Sequence, residues 1–335
     1  MASRPSKRWH PPNDAASRAA ALVGTEPKVL TTLSTCWPCF EDLPTPRSGA
    51  WLAKGEGGER DRVGQTMKVY TRPGPHRSFP TLRAKTILLV PLGDVGAAPP
   101  AEVLMASLQA TFFGMTVAVA PSKLLPKKEV KNLSCQDFGG EYGPQYVTDE
   151  IHELLARHKP RDSFVVVAYT MVDITKRDGT GGIWNFVFGE ACQSRGTGIF
   201  SFARYAEGTG SMEESAFKRR CCMVLNHEVG HLFGIKHCIY AQCLMNGSNS
   251  LQEAENRPFA LCPIDLAKIF DTLTRSGLMP PTGQHALRVT FLVEREAALL
   301  AFFEREGMES DAALARRRLA LIKESPLPVV PPLSS

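Results

Sequence analysis

The chain has 335 residues, 43% of them hydrophobic and 22% charged, which is ordinary globular usage and excludes a wholly disordered or fibrous protein. No uninterrupted apolar run approaches ~18 residues, so no membrane-spanning helix is expected. A formal charge of +5 permits an acidic partner but is too modest for this length to demand a nucleic acid or an anionic membrane.

The first 82 residues read as a flexible extension, because proline is frequent and Gly55-Glu56-Gly57-Gly58 interrupts any element. The start is charged and lacks an apolar stretch of secretory type. Its Arg, Ser and Ala content has only a faint presequence-like cast, so an intracellular, cytoplasmic location is expected. A short helix fits 15–23. Cys36-Trp37-Pro38-Cys39 has the spacing of a redox or zinc half-site, but no strand–helix unit surrounds it and no second pair follows. From position 83 the pattern changes. Apolar runs at 86–92, 117–120 and 164–171 read as buried strands, and the apolar spacing over 101–113 and 147–158 reads as helices between them. That alternation predicts an α/β fold with a mostly parallel sheet. Segments 184–188 and 198–205 read as further strands, the first an antiparallel edge. A long helix follows at 213–233, then helices at 263–275, 286–305 and 312–323, and a Pro/Ser-rich tail.

The informative segment is His227-Glu228-Val229-Gly230-His231-Leu232-Phe233-Gly234-Ile235-Lys236-His237. Residues four apart share a helix face, so His227 and His231 offer two imidazoles to one ion, with Glu228 beside the first. Gly234 ends the helix with a positive φ, and His237 swings back as a third ligand. Three neutral imidazoles leave one zinc position open, as in a catalytic site. A bare HExxH recurs by chance as a polar helix face; the added glycine and third histidine at fixed spacing make chance a poor explanation. Nine cysteines are present, and Cys221, Cys222, Cys238, Cys243 and Cys262 fall close to these histidines. In a chain read as intracellular, such clustering points to metal. Cys221 and Cys222 read as packing residues within the helix.

With Met245 following, the motif resembles that of the metzincin peptidases. The run Cys238, Cys243, Met245, Cys262 narrows the resemblance to the archaemetzincins, over roughly 83–325. The resemblance implies a metzincin-like domain at 83–280 with C-terminal helices 281–324 packed on it and a loose tail at 325–335. It implies a long zinc-binding helix and a Met-turn at Met245 beneath the metal. It also implies a second, structural zinc on Cys238, Cys243 and Cys262, with Asp265 standing where the family has a fourth cysteine. The function implied is zinc-dependent hydrolysis of peptide bonds in a peptide or protein substrate. Glu228 would be the general base, and the substrate would lie along an edge strand formed by Trp184, Asn185, Phe186, Val187 and Phe188. One alternative is a zinc-binding scaffold that meets a partner through Arg316-Arg317-Arg318. A nucleic-acid partner is not expected, because the basic residues do not gather around the cysteines.

Overall fold

The computed structural model describes residues 9–44, 46–47, 50–53, 61–72, 79–206 and 214–325. Its helices are α1 (Ala15–Ala21), α2 (Pro27–Ser34), α3 (Met67–Tyr70), α4 (Ala101–Thr111), α5 (Lys127–Lys131), α6 (Thr148–His158), α7 (Glu214–Leu232), α8 (Leu251–Glu255), α9 (Pro263–Arg275), α10 (His285–Arg305) and α11 (Glu309–Glu324). The strands are β1 (Thr86–Pro91), β2 (Thr116–Val119), β3 (Cys135–Gln136), β4 (Gln145–Val147), β5 (Ser163–Thr170), β6 (Ile174–Thr175), β7 (Gly189–Cys192) and β8 (Thr197–Ser201).

Five strands form the main sheet in the order β2-β1-β5-β8-β7. All neighbours are parallel except β7, which runs antiparallel to β8 at the edge. Both faces are covered, which explains the unbroken apolar runs of β1 and β5. Ile87 and Leu89 point into one core with Val165 and Val167, while Leu88 and Val90 point into another with Val166 and Ala168. The helix α7 lies on the first face against α4, β7 and β8, and every residue from Cys221 to Gly230 is buried. Cys221 and Cys222 are fully buried there, as packing residues would be. A second sheet, β3-β4-β6, sits beside the first.

Three expectations change. The edge strand is Gly189–Cys192, and 184–188 is not regular strand. The alternating aromatics there reflect individual partners: Trp184 covers the Lys176 ammonium, Phe186 covers the Arg204 guanidinium, and Phe188 packs on Tyr205. The described part of the N-terminal 82 residues is not a loose extension. Leu22, Val29, Leu33, Leu52, Met67 and Tyr70 are buried in the main core, and α2 packs on α9 and α10. Proline broke the segment into short pieces without removing their apolar faces; Pro27 itself opens α2 at a position where no N–H is required. Finally, Arg318 is buried rather than part of a basic surface. The Gly-rich 55–58 lies outside the described residues, as does the tail beyond Ser325. No helix among the described residues is long and apolar enough to cross a membrane.

Candidate metal centre

The helix α7 ends as its sequence requires. Gly234 has φ +85°, and its N–H bonds His231 O at 2.8 Å while Ile235 N–H reaches Gly230 O at 3.1 Å. This paired closure needs a left-handed residue, which glycine supplies without strain. The reversal brings His237 back to the helix, and His227, His231 and His237 each present a ligand atom within 4.8 Å of the others.

The tautomers follow from the surroundings. His227 donates from Nδ1 to Leu244 O at 2.8 Å, and His231 donates from Nδ1 to Ile235 O at 2.7 Å. A carbonyl oxygen can only accept, so both rings carry their proton on Nδ1 and keep a lone pair on Nε2. Those two Nε2 atoms stand 3.0 Å apart. Burial pushes the His227 pKa well below its ordinary value and that of His231 down to about 3, with the neighbouring imidazoles adding to the effect. Two neutral rings aiming lone pairs at one point suit a cation between them, and the nitrogen donor set suits zinc.

Glu228 is buried beside this cluster, and burial, followed by the Glu190 charge, raises its pKa to about 8. A Cβ placed on Gly189 would lie 2.8 Å from Cγ of Glu228, so the edge strand β7 passes directly over the carboxylate. Met245 lies under α7, its sulfur 2.5 Å from where a Cβ of Gly230 would stand, and its carbonyl accepts the Cys238 N–H at 2.9 Å.

A second group forms next to the first. Cys238, Cys243, Cys262 and Asp265 are buried, with donor atoms within 4.8 Å of one another. Asp265 Oδ2 is 3.4 Å from Cys243 Sγ and 3.5 Å from Cys262 Sγ. Burial opposes charge on Cys238, but hydrogen bonds from Cys243 and Cys262 win and hold its thiol well below the ordinary range. Cys36 and Cys39 join neither group among the described residues.

Several neighbours of these groups had no signal in the motif. Arg257, buried behind His227, places Nη1 3.3 Å from its Nδ1 and donates to Asn246 O. Lys268 is fully buried and donates to Asp265 Oδ1 at 2.8 Å. Asp61 accepts from His237 Nδ1 at 2.9 Å across 176 positions of sequence. Glu190 is visible only once β7 is placed.

Residues 108–269 match peptidase family M54. Archaemetzincin-2 of Pongo abelii is 35% identical over 229 residues, spanning 58% of this chain and 61% of that protein. Over these residues the chain is similar to the archaemetzincins. Archaemetzincin-1 of Homo sapiens is 29% identical over 58% of this chain and 44% of its own length. The chain thus spans less than two thirds of these archaemetzincins. A crystal structure of an archaemetzincin from Methanopyrus kandleri shares 22% identity over 58% of this chain and 98% of its own, with a TM-score of 0.42.

Proposed function

We propose that this chain is a zinc-dependent peptidase that hydrolyses a peptide or protein substrate. The observation that supports the reading above all others is the pair of neutral histidines, His227 buried and His231 half-buried, whose Nε2 atoms stand 3.0 Å apart beside a buried carboxyl. His227, His231 and His237 would hold the ion. When bound, zinc supplies a Lewis acid that polarises the scissile carbonyl and acidifies a water near neutral pH. Glu228 takes the water's proton and later hands it to the leaving amine. The substrate lies extended along β7, whose free edge runs over Glu228, rather than along 184–188. Met245 acts as the Met-turn beneath the metal. Cys238, Cys243, Cys262 and Asp265 would hold a second, structural zinc, and Cys238 directly follows His237.

The test is Glu228→Gln. Its carboxylate would hold no metal bond, so the variant should keep the zinc content of wild type and lose at least ~10²-fold in peptide turnover, the low end for general acid–base catalysis. Turnover unchanged in the metal-loaded variant would refute the mechanism. His231→Ala should remove one zinc per chain by elemental analysis.

A further inference from the structure

We propose that Asp61 is a positioning residue for His237, brought to the metal centre by an N-terminal clasp outside the 108–269 segment. The inference rests on the zinc reading above. His227 and His231 are placed by helical register, and their Nδ1 protons go to carbonyls of their own neighbourhood. His237 lies past Gly234, where no helix fixes its ring. Its Nδ1 instead meets a carboxylate, Asp61 Oδ2, at 2.9 Å.

The same stretch of chain grips the turn at several points. The Gln65 amide donates to Gly234 O at 2.9 Å and accepts from Lys236 N at 3.0 Å. The Tyr70 hydroxyl donates to Phe233 O at 2.9 Å. Trp51 sets its ring edge-on to His237 with centroids 5.5 Å apart, and fills the space that a Cβ on Gly247 would need. Trp51, Asp61, Gln65 and Tyr70 therefore bracket 233–237, and Asp61 is the member that hydrogen-bonds the imidazole. A carboxylate on Nδ1 does two things to the ring. It fixes the proton there, leaving the Nε2 lone pair free, and it raises the ring's basicity toward a cation.

The experiment measures the dissociation constant of the zinc that His231→Ala removes, by chelator competition on the full chain. Asp61→Ala should weaken that zinc ~10–100-fold, the usual effect of deleting a partner of a metal-bound histidine. Asp61→Asn keeps an acceptor of the same shape and loses the charge, so it should fall between Ala and wild type; it also serves if Asp61→Ala fails to fold. The metal-free melting temperature of both variants should stay within a few degrees of wild type, which a merely structural role would not allow. In a His237→Ala background, Asp61→Ala should weaken zinc no further, because Asp61 acts through that ring. Affinity within twofold of wild type for Asp61→Ala would overturn the proposal, as would an equal loss in both backgrounds. If His231→Ala leaves zinc affinity and content unchanged, the zinc reading itself fails, and this inference with it.

Discussion

Asp265 lies between two thiols and a buried ammonium. From sequence it is either a substitute ligand or a first-turn carboxylate favouring the N-terminal dipole of α9. In the structure it lies in the first turn, and its Oδ2 faces two thiols. Its other oxygen takes the buried Lys268 ammonium. Burial, and then the Cys238 charge, raise the Asp265 pKa to about 6. Removing Lys268 would leave a carboxylate with no countercharge, a loss of about 3–5 kcal/mol when one partner of a buried pair is deleted. A folded pKa raised above the unfolded one means the folded state holds the proton more tightly, so the penalty arises above the folded pKa and fades below it. Lys268→Met, unfolded in urea with zinc chelated, should therefore be strongly destabilised at pH 8 and much less so at pH 5. A loss independent of pH would contradict this account. The same pair means that Asp265→Cys alone strands an ammonium, and only the combination with Lys268→Met gives an unburdened four-thiolate set.

At the scale of elements, the hairpin of α10 and α11 is pinned by charge as well as by apolar packing. Glu296 Oε1 accepts from Arg295 Nη1 at 2.5 Å and from Arg318 Nη2 at 3.0 Å, and Arg295 Nε reaches Thr111 O on α4 at 3.0 Å. All three side chains are buried, and Glu296 Oε2 has no hydrogen-bond partner among the described residues. Breaking such a group and replacing it are different operations. Glu296→Gln should cost about 3–5 kcal/mol in urea unfolding, whereas Arg295→Met, Glu296→Leu and Arg318→Met together should be neutral or stabilising. A mild Glu296→Gln would show that water reaches the triad. The triad also marks what was legible. The strands β1, β5 and β8 and the long helices were readable because each is a local pattern of apolar residues. Arg318 was readable in principle, since it falls on the buried stripe of Ala312, Ala315, Leu319 and Ile322. A run of three arginines drew attention to charge instead. The strand β7, by contrast, has the sequence Gly189-Glu190-Ala191-Cys192 and no apolar alternation; it is a strand because β8 pairs with it.

For the whole molecule, the division that composition suggests at position 83 is not a division of the fold. The motif of three histidines is local, so it was complete in the sequence. The surroundings of those histidines are not local, and Asp61, Gln65 and Tyr70 reach them from far upstream. Chains of short helices separated by proline hide such packing, because no single piece has enough periodicity to signal a core. The consequence can be tested by starting the chain at Arg83. That deletion uncovers the surface on α9 and α10 against which α2, with Val29 and Leu33, is packed, and removes Leu22, Leu52, Met67 and Tyr70 from the core as well. At roughly 1.5–3 kcal/mol for each large apolar side chain buried, six of them amount to about 9–18 kcal/mol, comparable with the entire stability of an ordinary domain. The shortened chain should aggregate or lack a cooperative melt, and should hold the His231-dependent zinc weakly. Leu33→Ala in the full chain gives a graded version, with an expected loss of about 2–5 kcal/mol. A chain from Arg83 that melts cooperatively within a few degrees of the full protein, with the same zinc affinity, would show instead that the N-terminal segment rests on the domain without supporting it.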